Sequence, residues 1–267
     1  MNIEPHLIQL RNILCDAIKL DYINIDISSG LFRKQLGEDL ADLVCLVKKR
    51  SEAPIILDLS CGKGIITSIL EKQNIVTVGC DVILSASDQL AIDKTEWQTL
   101  FWNTLVGLSK NKLNRYFYYQ TTRIGMLTES FDGICAYAVY EHIPPEFRTD
   151  WLQEVHRLLR PGGALLIAHC PRPESPTEQL ARWLGIPAHE YLISTDSLVA
   201  HVESVGFAVE GVWLNDHIPS FLPWGPRWLR KAYLDAQDGP LNLVERFVGW
   251  VTRSRWAHHT NLIALKR

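Results

Sequence analysis

A short loop with two glycines is the part of this sequence whose residue types and spacing most directly predict ligand binding. Residues 58–64 read DLSCGKG and follow a continuous apolar run, 55–59, which is typical of a buried parallel strand. An apolar stretch with helical spacing comes directly after the loop. Glycine allows a tight turn and a close approach of the backbone to a ligand, and the N-terminus of a helix offers N–H groups to an anion. The loop therefore predicts a ligand with a carboxylate or a phosphate.

An acidic residue ends the next predicted strand, 75–81. Asp81 lies where folds that bind nucleotide-like ligands place a carboxylate for the ribose hydroxyls. The dinucleotide fingerprint G-x-G-x-x-G is matched poorly, because Thr67 stands at its third glycine position. Gly62, Gly64 and Asp81 together predict a ligand that contains adenosine.

Strand-like and helix-like segments alternate over most of the chain and must position this loop. Besides the two segments above, we predict strands at 115–120, 131–138, 164–168, 207–214 and 261–265. The helical patterns lie at 65–70, 85–114, 148–159, 178–184 and 198–205. This alternation predicts an α/β fold, with a seven-stranded, mostly parallel sheet and helices on both faces.

Two further helical regions accompany this core. Residues 1–50 carry apolar side chains at helical spacing and predict a helical N-terminal extension that lies against a core domain of residues 51–267. A segment at about 214–257 separates the last two strands and contains Trp224, Trp228, Trp250 and Trp256. Because a short hairpin would suffice to join two neighbouring strands, we interpret this segment as an inserted helical cap.

Composition and charge exclude several classes of function. The 267 residues are 47% apolar and 21% charged, as in soluble globular proteins, and no apolar run is long enough for a membrane span. A net charge of −3 argues against a nucleic-acid partner. The six cysteines lack zinc-ligand spacing, which favours reduced thiols in a cytoplasmic protein. The neighbours His258 and His259 have no carboxylate beside them in the sequence, so we predict no metal site.

Four segments in order resemble the motifs of class I (Rossmann-like) S-adenosylmethionine-dependent methyltransferases. The loop at 58–64 is similar to their motif I, D-x-G-x-G-x-G, and 158–163 (LLRPGG) is similar to the signature before their fifth strand. Residues 131–143 resemble their fourth-strand motif, and 195–207 their later helix ending in Gly-Phe. The resemblance spans about 51–212 and is to the small-molecule branch of the family. It implies S-adenosylmethionine as cofactor and a small, partly apolar methyl acceptor.

The resemblance also implies roles for individual residues. Asp58 and the backbone of the loop would hold the methionine end of the cofactor, Asp81 the ribose, and Val82 the adenine. The full set of cofactor residues implied is Asp58, Ser60, Cys61, Gly62, Gly64, Asp81, Val82, Gln120, Thr121, Ala136 and Tyr137. Ser60 replaces the first motif glycine, which serine tolerates if its φ stays negative. Gln120 replaces an acid, but its carbonyl can accept from the adenine amine.

Two histidines follow strands at the edge of the sheet where ligands bind in open α/β folds. His142 comes after the fourth strand and His169 after the fifth. A base is needed only if the acceptor carries a proton of high pKa, since much of the rate of methyl transfer can come from alignment. Both histidines are candidate catalytic bases, and a structural role is the alternative for each.

Three alternatives remain open from the sequence. The first is a nicotinamide-dependent oxidoreductase, which is less favoured because no Tyr-x-x-x-Lys motif is present. The second is a protein that has the same fold and binds S-adenosylmethionine without catalysing a reaction. The tryptophans of the cap either pack it onto the domain, which is favoured, or form a lid that contacts a membrane surface peripherally. The sequence predicts no oligomeric state.

Overall fold

The centre of the molecule is one twisted sheet of seven strands. The structure is a computed structural model that describes residues 30–82, 89–109, 114–119, 123–185, 191–218, 226–237 and 239–267, together with Pro5, His6, Gln9 and His189. The strand order is β3-β2-β1-β4-β5-β7-β6. The neighbours from β3 to β5 pair in parallel, whereas β7 lies antiparallel between β5 and β6. The predicted fold class, a seven-stranded and mostly parallel α/β sheet, is confirmed.

The elements follow one another in the predicted alternation. The strands are β1 Ile55–Leu59, β2 Val76–Val82, β3 Asn114–Tyr119, β4 Phe131–Tyr137, β5 Leu159–Pro171, β6 Phe207–Asn215 and β7 His259–Lys266. The α-helices of the described residues are α1 Gly30–Lys48, α2 Ile65–Glu71, α3 Gln89–Leu108, α4 Arg148–Leu158, α5 Pro176–Trp183, α6 Thr195–Ser204, α7 Arg227–Gln237 and α8 Pro240–Thr252. Two short 3₁₀ turns, Tyr140–His142 and Pro145–Phe147, connect β4 to α4.

The sheet separates two hydrophobic cores, because successive side chains of a strand point to opposite faces. On one face, Leu57 of β1 and Leu165 of β5 belong to the core that α4 and α6 complete. On the other face, Ile56 and Leu166 pack with α1 and α2. The approach of α1 is close: a Cβ on Gly133 of β4 would come within 2.8 Å of Val47.

The fifth strand departs from its predicted start. The sequence LLRPGG was expected to end a helix and precede a strand at 164, but β5 already begins at Leu159. Phe131 pairs with Leu159 and Gly133 with Ala164, and the register shifts between these pairs. Gly162 has a φ of +72° there. The Pro-Gly-Gly segment is therefore an irregularity inside β5, which glycine permits, and not a connection between elements.

Both accessory regions are helical where the structure describes them. In α1, Leu36, Leu40 and Leu43 pack in the core beside the sheet, while most of 1–29 lies outside the described residues. Helices α7 and α8 lie between β6 and β7 in the chain. Among the described helices, none has the length and apolar character needed to cross a membrane.

Three of the cap tryptophans do not pack as favoured from the sequence. Trp228, Trp250 and Trp256 are 70%, 77% and 55% exposed, respectively. Trp224 lies outside the described residues. The expectation that these aromatic side chains pack the cap onto the domain is therefore wrong for the three that are described.

Candidate functional site

The loop after β1 turns tightly at the carboxyl edge of the sheet. Gly62 and Gly64 have φ values of +51° and +78°, in the left-handed region that glycine adopts easily. The Cys61 N–H donates to the Cys80 carbonyl at 2.8 Å and so fixes the loop to the end of β2. Ser60 also has a positive φ, +59°. Serine was expected to replace the motif glycine with a negative φ, and that condition is not met.

Asp58 fixes the start of α2 to β1. Its Oδ2 accepts hydrogen bonds from the Thr67 N–H at 2.9 Å and from Thr67 Oγ1 at 2.6 Å. Burial raises the pKa of Asp58 to about 7, although the bonds from Thr67 act in the opposite direction. Thr67, the residue that breaks the dinucleotide fingerprint, is thus a partner of the first acid of the motif.

Asp81 lies beside the loop and is almost fully buried. Its Oδ2 accepts from the Gly62 N–H at 2.9 Å and from Gln98 Nε2 at 2.8 Å. Val82, the residue implied for the adenine, is partly exposed next to it. Gln98 of α3 was not predicted, because nothing in its helical surroundings distinguishes it in the sequence.

Aromatic residues support the loop from behind. Trp102 of α3 donates from Nε1 to the Gly62 carbonyl at 2.9 Å, and its ring stacks on Tyr116 of β3 with centroids 5.2 Å apart. A Cβ on Gly64 would come within 2.6 Å of the Tyr116 ring. The sequence shows that the third strand is rich in tyrosine, which could have indicated aromatic packing against the loop. It does not reveal which glycine the Tyr116 ring contacts.

The remaining cofactor residues from the sequence divide into two pairs. Ala136 and Tyr137 end β4, and since β4 pairs with β1, they reach the same edge of the sheet as the glycine loop. Gln120 and Thr121 lie outside the described residues. The sheet therefore brings the predicted residues of β1, β2 and β4 together at its carboxyl edge.

His169 is the catalytic candidate that lies nearest to Tyr137. The two rings stack with centroids 5.3 Å apart, and Phe32 of α1 contacts both rings edge-on. His169 has a φ of +61°, and its N–H donates to Asn261 Oδ1 at 2.8 Å. Burial and the neighbouring His259 lower the pKa of His169 well below its ordinary value, so the ring is neutral near pH 7.

His142, the other catalytic candidate, lies at the surface. It ends the first 3₁₀ turn, and its side chain is 65% exposed. Its ring lies 6.4 Å from that of His189, measured between centroids. The structure therefore does not bring His142 and His169 together.

Two carboxylates contact the histidines at the end of the cap. His258 Nε2 lies 2.9 Å from Glu178 Oε1, and His259 Nδ1 lies 2.5 Å from Asp216 Oδ2. The prediction of no metal site assumed that no carboxylate lies beside this pair, and that assumption is wrong. Because β7 begins at His259 and pairs with both β5 and β6, acids distant in the sequence come into contact with the pair.

Comparison with known proteins gives the family. The profile of a methyltransferase domain matches residues 32–212, more than half of the chain, so the chain belongs to this family of methyltransferase domains. The resemblance seen in the sequence is confirmed, and S-adenosylmethionine is the cofactor. This result also decides against the nicotinamide-dependent oxidoreductase. A search of curated proteins finds no match.

Solved structures similar to this chain share its fold at low sequence identity. An S-adenosylmethionine-dependent methyltransferase from Archaeoglobus fulgidus is 16% identical, with a TM-score of 0.56 over 88% of this chain and 94% of that one. The 1,6-didemethyltoxoflavin-N1-methyltransferase of Burkholderia thailandensis, with its substrate and S-adenosylhomocysteine bound, is 13% identical, with a TM-score of 0.55 over 99% and 87%. Magnesium protoporphyrin IX methyltransferase from Synechocystis, with S-adenosylhomocysteine bound, is 11% identical, with a TM-score of 0.56 over 96% and 93%.

Proposed function

We propose that this protein transfers the methyl group of S-adenosylmethionine to a small, partly apolar acceptor by in-line displacement. The sulfonium methyl carbon forms a bond to a nucleophilic atom of the acceptor, while its bond to sulfur breaks and leaves S-adenosylhomocysteine. The observation that carries the proposal is the aromatic wall of Phe32, Tyr137 and His169 at the edge of the sheet that carries the glycine loop, because the partly exposed rings of Phe32 and His169 can contact an apolar acceptor. Two structural neighbours are named as methyltransferases of 1,6-didemethyltoxoflavin and of magnesium protoporphyrin IX.

The cofactor residues act as a preformed cradle in this proposal. Asp81 already accepts from Gly62 and Gln98, and its side-chain oxygens retain capacity for the ribose hydroxyls. The start of α2 after Gly64 offers N–H groups to the methionine carboxylate. Asp58 acts through Thr67, since it holds the first turn of α2 in place.

We propose His169 as the group that takes a proton from an acceptor that carries one. Its neutral ring can accept a proton, and it lies against Tyr137, whereas His142 is exposed at the surface. General bases of this kind contribute about 10²- to 10⁴-fold to rate. An acceptor without such a proton would need only the alignment that the wall provides.

The cofactor assignment is tested with S-adenosylhomocysteine as the probe. We expect calorimetry to show one site per chain, and Asp81→Asn to weaken binding by about 10- to 100-fold, because a charge-assisted hydrogen bond contributes about 1.5–3 kcal/mol. Asp196→Asn, at an exposed position of α6, is the matched control and should bind like the wild type. Absence of binding to the wild-type chain would contradict the proposal.

A turnover assay separates the enzyme from a non-catalytic binding protein. The chain is incubated with methyl-labelled S-adenosylmethionine and a panel of aromatic hydroxyl, amine and carboxyl compounds. Transfer of label to any of these compounds supports the proposal. Binding of S-adenosylhomocysteine without transfer to any of them favours the non-catalytic alternative.

We also propose that the cap contacts an anionic membrane surface. Helix α8 exposes Leu243, Phe247 and Trp250 at a spacing that puts them on one face. The arginines of 240–256, at 246, 253 and 255, are exposed as well, whereas the segment's single acid, Glu245, is buried against His217. An apolar face with basic and no acidic neighbours fits an anionic bilayer surface.

A further inference from the structure

Two clusters of histidine and carboxylate side chains lie side by side at the end of the cap. One consists of Glu178, His189 and His258, and the other of His169, Asp216 and His259. In each cluster, the three potential ligand atoms lie within 4.8 Å of one another. Two imidazoles and one carboxylate are a common ligand set for zinc and other transition metals. Neither cluster is needed to hold the methyl donor in the function proposed above.

In the first cluster the ligand atoms converge. His189 Nδ1 and His258 Nε2 lie 2.7 Å and 2.9 Å from the same oxygen, Glu178 Oε1. The two rings meet at an angle of 61°, so their in-plane lone pairs can point to one centre. Ligands at about 2.1 Å from a metal lie roughly 3.0–3.4 Å from each other, so these two separations need to open by only a few tenths of an ångström.

The second cluster is less suited to one ion. The rings of His169 and His259 are stacked, with centroids 3.6 Å apart and planes only 26° from parallel. Their in-plane lone pairs therefore run side by side instead of meeting. His259 Nδ1 is already 2.5 Å from Asp216 Oδ2, as in a hydrogen-bonded pair.

Burial of Glu178 supports a cation at the first cluster. Its side chain is 2% exposed, and its second oxygen, Oε2, is buried without a hydrogen-bond partner among the described residues. A buried carboxylate whose oxygen has no hydrogen-bond partner needs a positive charge beside it. A metal ion supplies that charge and leaves the unpartnered oxygen as a further ligand.

The surrounding structure holds the backbone at two of the three residues in place. The Glu178 N–H donates to Ser175 Oγ at 3.1 Å, which caps α5. Arg172 donates from its N–H to the His258 carbonyl at 2.9 Å and from Nη1 to the Ala257 carbonyl at 3.0 Å. Such outer contacts orient ligands in known metal sites.

We propose that Glu178, His189 and His258 bind one divalent transition-metal ion, such as Zn²⁺. Three protein ligands leave at least one coordination position open, which is the pattern of sites that also bind water or a substrate atom. The cluster is linked to the acceptor wall through the contacting rings of His258, His259 and His169.

The test measures metal binding directly. Full-length chain freed of metal by a chelator is titrated with Zn²⁺ by calorimetry and with Co²⁺ by visible absorption. We expect one equivalent to bind in the micromolar range or tighter, with ligand-field bands for Co²⁺. Glu178→Gln and His189→Ala should each weaken binding by at least about 100-fold, since both remove a direct ligand. His189→Ala remains decisive if the buried Glu178→Gln variant does not fold.

Two controls make the result specific. His142→Ala removes the neighbouring exposed imidazole and should keep the wild-type affinity, and Asp216→Asn disrupts only the second cluster and should keep it as well. The proposal is overturned if the wild type binds no Zn²⁺, if His189→Ala binds as the wild type does, or if Asp216→Asn alone abolishes binding. Loss of S-adenosylhomocysteine binding would count against the methyltransferase proposal and not against this one.

Discussion

His142 and His169 are the same residue type and both follow strands at one edge of the sheet, yet their surroundings differ. His142 is mostly exposed, whereas His169 lies between Tyr137 and His259 in a continuous stack of rings. The ring plane of His169 is fixed by this stack, and burial lowers its pKa, so it is the histidine that we propose as a neutral proton acceptor.

The role of His169 can be separated from its packing. His169→Phe keeps an aromatic ring between Tyr137 and His259 but removes the proton acceptor. We expect kcat for a protic acceptor to fall by at least about 100-fold, with S-adenosylhomocysteine affinity unchanged, because the base acts in the chemical step. Steady-state kinetics and calorimetry measure the two quantities. His142→Ala should reduce kcat far less, and full activity of His169→Phe would reduce His169 to a packing role.

Residue types around the cofactor loop were predictable, but their backbone angles were not. Motif I and Asp81 lie within two consecutive strands, so local patterns suffice to find them. Next to Ser60, whose φ is positive, the loop is held by the bond from Cys61 to Cys80 and by the bond from Trp102 to Gly62. These contacts come from other elements, and no single-sequence pattern encodes them.

At the scale of elements, the position of β7 explains what the sequence could not predict. The alternation of strands and helices gave the parallel part of the sheet, because each unit is local. His259 becomes a neighbour of Pro171 and Asn215 only because β7 inserts antiparallel between β5 and β6 in one register. That register brings Asp216 against His259 and places His258 where α5 presents Glu178. The two histidine–carboxylate clusters are therefore products of topology.

A buried acid couples α1 to β6 and predicts a pH dependence of stability. Asp39 of α1 accepts from Trp213 Nε1 at 2.8 Å, and burial raises the pKa of Asp39 to about 7, with Asp216, Glu38 and Asp42 adding to the increase. The folded chain then binds a proton between about pH 4 and pH 7 that the unfolded chain releases. As the pH rises through this interval, this group alone should therefore lower the free energy of unfolding by about 1.4 kcal/mol per pH unit.

Asp39→Asn removes this dependence, because asparagine resembles the protonated acid and keeps an oxygen for Trp213. Urea unfolding at pH 5 and pH 8 should show that the variant gains stability relative to the wild type as the pH rises. The two chains should be similar only below about pH 4, where Asp39 is protonated in the folded and the unfolded state alike. Equal pH dependence in both chains would mean that Asp39 is ionised in the folded state.

At the scale of the whole molecule, charge and apolar surface are distributed unevenly. The chain carries a net charge of −3, but the outer side of 240–256 exposes three arginines and no acid. Bonds from the His217 and Ile218 N–H groups hold Glu245 inward, which fixes α8 with its apolar side outward. The face of Leu243, Phe247 and Trp250 is the surface that the membrane proposal concerns.

Vesicle flotation tests this surface. The wild type should float with vesicles that contain phosphatidylserine and much less with pure phosphatidylcholine, and raised salt should weaken the contact because it screens the arginines. A double variant, Phe247→Ser with Trp250→Ser, should lose flotation because it removes two apolar side chains that are 62% and 77% exposed. The matched control, Leu127→Ser with Trp183→Ser, changes equally exposed residues outside the cap and should float like the wild type. A wild-type chain that stays with the soluble fraction, or a control that loses flotation as the cap variant does, would exclude this face as a specific membrane contact.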